Sequence, residues 1–222
     1  MNPVIPELLH LHHSIQWQNH SENSLVFLPQ LHLQKTASSS SSMPRMSTSS
    51  NPRIELYVDI GRYAEGHLKT ANVASTRKAI STLLEKYRSA SAPLVHIVHK
   101  VPDGAPVFTP STSLAEEFSE IAPLGSEKVI AKEQAGSFTG TDLEKYIKST
   151  GKNKLVLVGY MAHVCVSTTA RQADELGYEV LIVEDAVGDR DIPGVKAEDL
   201  VRTSLAELAD AFGTVVKVAS ID

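Results

Sequence analysis

The stretch Lys154-Leu155-Val156-Leu157-Val158-Gly159-Tyr160-Met161-Ala162-His163-Val164-Cys165-Val166-Ser167-Thr168-Thr169-Ala170-Arg171-Gln172-Ala173 decides how this chain folds. Residues 155–158 are an unbroken apolar run, the mark of a strand buried on both faces. Gly159 ends the run, and from Val164 the residues Ala170, Ala173 and Leu176 fall on one helical face. Cys165, the single cysteine, therefore sits in the first turn of a helix that follows a strand. Unpaired N–H groups and the helix dipole favour an anion there, which eases loss of a thiol proton. A lone thiol is more often a small buried hydrophobe, so the residues gathered around it carry the reading.

Working outward, strands and helices alternate from residue 54 onward. The patterns predict strands over 54–60, 93–98, 128–131, 154–159, 179–183 and 214–218. They predict helices over 75–87, 113–121, 164–176 and 195–211, and another opened by Thr141-Asp142-Leu143-Glu144 as a capping box. Six strands with five crossovers imply an α/β fold: a six-stranded parallel sheet with helices on both faces, Rossmann-like. Such sheets bind ligands outside the carboxyl ends of their strands, near the point where strand order reverses.

Three residues fall at such ends. Asp59 closes the first strand, Lys132 follows the third, and Cys165 follows the fourth. A carboxylate after Leu56-Tyr57-Val58 is awkward unless it is paired or used. Each residue alone has an ordinary structural explanation. Together they are a base, a cation and a nucleophile, the set an activated thiol needs. Tyr63, Phe138 and His163 are candidates to line a substrate pocket. Glu184 and Asp185 end the fifth predicted strand and read as structural.

Three motifs carry a family resemblance: Tyr57-Val58-Asp59-Ile60 with Tyr63; Lys132 with Gly136-Ser137-Phe138-Thr139-Gly140-Thr141-Asp142-Leu143; and Gly159 through Ala170, followed by Glu184-Asp185-Ala186. Over residues 54–221 the chain resembles the isochorismatase-like cysteine hydrolases. The resemblance implies that Asp59, Lys132 and Cys165 form the family's catalytic triad. It also implies a cis peptide between Tyr160 and Met161, and an oxyanion hole made by the backbone N–H groups of Met161 and Cys165. It implies a small-molecule substrate, no cofactor and a homo-oligomer, dimer or tetramer. Where the family often has x-Gln after the aspartate, this chain has Ile60-Gly61, which bears on substrate positioning. The nicotinamidase branch carries an Asp-x-His-x-x-His metal site; here His96-Ile97-Val98-His99 lacks the preceding Asp, so no metal is expected.

Two chemistries suit this set. In isochorismate hydrolysis, Asp59 protonates the vinyl ether, water attacks the resulting cation, and pyruvate leaves; the thiol is not required. In amide hydrolysis, Asp59 takes the Cys165 proton, the thiolate attacks a carbonyl, and water hydrolyses the thioester. A fold of this class used only for binding is the third reading.

Residues 1–52 differ from the domain predicted over 53–222. They hold five of the nine histidines (His10, His12, His13, His20 and His32), the serine run 38–42, and little patterned apolar surface. That composition predicts disorder. The net charge of −5 is carried by the domain, with no basic surface for nucleic acid. No apolar run approaches a membrane span, and the first residues lack the basic region of a secretory signal. One cysteine excludes an internal disulfide. These features point to a cytoplasmic protein, with secretion lacking a signal peptide left open.

Overall fold

The computed structural model describes residues 55–59 along the backbone, and 68–102, 105, 107–108 and 117–221 with their side chains. The predicted boundary at residue 52 and the disorder expected before it lie outside the described residues. The elements are β1 (Glu55–Asp59), α1 (Val73–Ser89), β2 (Leu94–His99), β3 (Lys128–Lys132), α2 (Leu143–Thr150), β4 (Lys154–Tyr160), α3 (Ser167–Glu175), β5 (Glu179–Gly188), α4 (Ala197–Ala211) and β6 (Thr214–Val216). A π turn, Ala162–Val166, joins β4 to α3.

The six strands form one sheet in the order β3-β2-β1-β4-β5-β6, and every pairing is parallel. Strand order reverses between β1 and β4, so the ligand crevice of such a sheet lies at their carboxyl ends. Alternation along β4 feeds two cores. Val156 and Val158 pack with Ile80, Leu83, Leu84 and Tyr87 of α1. Leu155 and Leu157 pack with Leu143 and Ile147 of α2, Ala170 and Ala173 of α3, and Leu205 and Leu208 of α4. The sheet thus buries both faces, and each fully buried leucine contributes roughly 1.5–3 kcal/mol.

Several local expectations are corrected. The helix expected over 113–121 is absent where it can be seen: 117–121 is turn, with the Ile121 N–H donating to the Phe118 carbonyl. Side chains impose this, because Phe118 and Ile121 are buried in the α1 core and Glu117 lies against His96. The capping box at Thr141 does not form. Asp142 occupies the cap position and pairs with Lys128, while Glu144 pairs with Lys148 one turn along. β5 runs five residues past the predicted end, and β6 stops two residues short of its predicted end. A register shift between Leu157 and Gly159 explains the longer strand. Leu157 faces Ile182 but Gly159 faces Val187, so β5 carries three extra residues there.

Candidate active site

The carboxyl ends of β1, β3 and β4 share one edge of the sheet, and each bears a predicted site residue. Asp59 is the last residue of β1, in register with Gly159 of β4 on one side and Ile97 of β2 on the other. Its side chain, and all of Tyr63, lie outside the described residues. Lys132 ends β3 opposite His99 of β2. It is only 1% exposed, and its ammonium donates to the Ala135 carbonyl at 2.7 Å. A lysine this deep needs polar company, since an isolated buried charge is costly.

Gly159, at φ 117°, adopts a backbone conformation that favours glycine, and the Tyr160–Met161 peptide is cis. The chain then enters the π turn. The Met161 carbonyl accepts the N–H groups of Val164 and Val166, at 3.1 and 3.2 Å. Cys165 lies in this turn, buried, and belongs to no disulfide. The expected helix start near Val164 is therefore a π turn ahead of an α-helix that begins at Ser167. Tyr160 is fully buried, and its hydroxyl meets Thr76 of α1 at 2.5 Å. Burial pushes its phenol up to about 12, against the opposing effect of the Thr76 hydrogen bond.

The segment after Lys132 is laced to α3. Thr169 donates to Ser137 Oγ and accepts the Ser137 N–H, while Gln172 accepts the Phe138 N–H and donates to Thr139. Phe138, a pocket candidate, stacks on Tyr178 with ring centroids 6.0 Å apart and packs on the α2–α4 core. His163, another candidate, lies in the π turn with its ring Nδ1 2.6 Å from Asp189 Oδ2. Asp189 went unread in the sequence because the fifth strand was ended at Val183. The apolar run Ala186-Val187-Gly188 was the signal that the strand continued.

His96, weighed as a metal ligand, is fully buried, with its nitrogens 3.2 and 3.0 Å from Glu117 and Glu127. Among the described residues no group of three or more His, Cys, Asp or Glu is arranged to hold a metal. A groove of about 900 Å³ runs between α1 and α4 past the end of β5. Asp189 lines it, whereas Lys132 and Cys165 do not, so it is not the crevice at the strand-order reversal. No helix among the described residues is long and apolar enough to cross a membrane.

Comparison with known proteins agrees with this architecture. Residues 56–220 match the isochorismatase domain model. The chain is 52% identical over 181 residues to the secreted isochorismatase effector Isc1 of Verticillium dahliae, covering 81% of this chain and 95% of that relative. It is 35% identical over 101 residues to an N-carbamoylsarcosine amidase of an Arthrobacter species, covering 46% of this chain and 36% of that enzyme. The crystal structure of an isochorismatase from Pseudomonas putida KT2440 superposes with a TM-score of 0.73 at 29% identity, covering 76% of this chain and 89% of that one. With a domain model matching most of its length and a relative aligned nearly end to end, the chain belongs to the isochorismatase family and is a hydrolase.

Proposed function

We propose that this hydrolase cleaves isochorismate, using Asp59, Lys132 and Cys165 at the crevice between β1 and β4. The observation that carries this reading is the 52% identity, across 95% of its length, to a relative named as an isochorismatase effector. In the proposed reaction Asp59 acts as general acid and delivers a proton to the enolpyruvyl methylene. The vinyl ether becomes an oxocarbenium ion, water adds to its cationic carbon and loses a proton to the Asp59 carboxylate. The hemiketal then collapses to pyruvate and a dihydroxy-cyclohexadiene acid. Lys132 supports the anionic charge of the substrate. An oxyanion hole of the Met161 and Cys165 N–H groups would serve amide hydrolysis instead, since no oxyanion forms at an oxocarbenium centre.

Retention of Cys165 in the π turn favours a second reading, hydrolysis of an amide through a Cys165 thioester. The likeness to an amidase supports it over part of the chain. One experiment separates the two. Wild type, Cys165→Ala and Asp59→Ala are incubated with isochorismate, and pyruvate is followed. Pyruvate from the first two but not the third supports vinyl-ether cleavage with the thiol dispensable. No pyruvate from wild type rejects isochorismate and moves the search to amides, with the thioester sought by mass spectrometry.

The proposal extends to assembly and location. A dimer or tetramer is testable by light scattering. The named relative is a secreted protein, so fractionation of cells and medium decides between the cytoplasm and export for this chain.

A further inference from the structure

We propose that Asp189 is a positioning residue that acts on Cys165 by latching the π turn through His163. The proposal rests on the reading of Cys165 given above. Three observations carry it. First, the Asp189 carboxylate is fully buried and accepts three hydrogen bonds: Oδ2 from the His163 backbone N–H at 3.0 Å and from its ring Nδ1 at 2.6 Å, and Oδ1 from the Arg190 N–H at 2.8 Å. A carboxylate only accepts, so Nδ1 carries the proton. Two of the three bonds hold a single residue of the five-residue turn that contains Cys165.

Second, the β5 irregularity delivers Asp189 to that position. With the register of Leu157 and Ile182 continued, Tyr160 would face Asp185; the three extra residues make it face Gly188, and Asp189 follows. Bulges next to active sites re-aim side chains in this way. Third, the approach at that point is close. A Cβ on Gly188 would lie 2.7 Å from Tyr160 Cε1, so no larger residue fits between the end of β5 and the chain leading into the turn.

The latch acts on the turn rather than on substrate. Residues two apart in a turn of this kind lie on nearly opposite sides, so the pair fixes the backbone that presents Cys165 while facing away from it. Small displacements of a reacting group cost as much as about 100-fold in rate, which bounds the effect on any reaction of the Cys165 thiolate itself.

The test compares wild type with Asp189→Asn, His163→Ala and His163→Gln, at a temperature where each is folded by circular dichroism. Asparagine retains one acceptor but turns an N–H₂ toward two donors. Glutamine keeps the backbone bond and offers a side-chain N–H in place of the ring. The rate read is alkylation of Cys165 by iodoacetamide, which needs no substrate, with Tm followed beside it. We expect Asp189→Asn to change the alkylation rate at least about fivefold. His163→Ala follows in the same direction, and His163→Gln recovers most of the change. An alkylation rate within twofold of wild type, despite a lowered Tm, overturns the proposal. If Asp189→Asn does not fold, the histidine pair decides: wild-type rates in both histidine variants overturn it. If wild type releases no pyruvate, the isochorismate reading fails, and the alkylation rates alone decide the latch.

Discussion

Thr169, in the helix after Cys165, donates its hydroxyl to Ser137 Oγ at 3.0 Å and accepts the Ser137 N–H at 3.2 Å. Both residues are fully buried. The segment after Lys132 and the helix after Cys165 are thereby tied together by these two side chains. Replacing Thr169 with Val keeps the shape but strands a buried hydroxyl oxygen and a buried N–H. Each such group costs about 1–3 kcal/mol. Urea denaturation should show Thr169→Val clearly less stable than Thr169→Ser, which keeps the hydroxyl.

A second tie predicts a coupled pair. A Cβ on Gly136 would fall 2.2 Å from Gln172 Oε1, and the same Gln172 holds Phe138 N–H and Thr139 Oγ1. Gly136→Ala must push Gln172 away and lose those bonds, at a cost of about 1–3 kcal/mol. In a Gln172→Ala background the clash is gone, so the same substitution should cost much less. Additive losses in the double variant would show that Gln172 is not what the methyl meets.

Much of this was legible in the sequence because the signals are local. The β4 run 155–158 and the helical face through Ala170 and Ala173 depend on short-range periodicity, and both appear in the structure, whereas Gly159, read as the end of the strand, is followed by one more strand residue, Tyr160. What was missed depends on long-range contact. The turn at 117–121 looks helical until Phe118 and Ile121 must reach the α1 core. Thr141 looks like the cap of a capping box until its hydroxyl, donating to the Ser137 carbonyl at 2.5 Å, accepts the Leu143 N–H at 3.3 Å and Glu144 pairs with Lys148 instead. Asp189 looks like a loop residue until the three extra residues of β5 carry it to His163. The strand-end positions of Asp59 and Lys132 follow from strand order, whereas how their side chains serve chemistry is not written in periodicity.

Acid should loosen the fold through one carboxylate in particular. Glu127 is held down to about 2, first by the hydrogen bond from Arg88, with help from the Leu124 N–H and His96. Arg88 engages both of its oxygens, at 2.8 and 2.9 Å, and the pair is largely buried. A depressed carboxylate stabilises the fold above its ordinary value of 4.5, and that stability is lost as pH falls from about 4.5 toward about 2. The linkage is worth about 3 kcal/mol at most. Glu127→Gln should be less stable than wild type at pH 7 and should lose less on going from pH 5 to pH 3. Parallel curves for the two proteins over that range would assign the acid limb elsewhere.

Tyr160 gives a contrasting, mild prediction. Its hydroxyl meets Thr76, but Thr76 also bonds the carbonyl of Val73 at 3.1 Å, within its own helix. Tyr160→Phe leaves Thr76 satisfied and the ring packed, so the loss should be about 1 kcal/mol. A loss several times larger, measured by thermal unfolding, would show that the hydroxyl supports more than its bond to α1.

Lys132 separates stability from chemistry. Its chain is 1% exposed and its ammonium donates to the Ala135 carbonyl. Lys132→Met keeps much of the volume filled but leaves the part-buried Ala135 carbonyl without its donor, at a cost of about 1–3 kcal/mol. The variant should therefore fold but unfold several degrees below wild type. The proposed role adds a separate expectation for turnover, because losing a charge-assisted hydrogen bond to the anionic substrate costs about 1.5–3 kcal/mol, roughly 10- to 100-fold in kcat/KM. Pyruvate release by the folded variant that falls by that factor would mark the ammonium as part of the working site. A variant that unfolds early but, when folded, turns over normally would make Lys132 a strut for the Ala135 turn and nothing more.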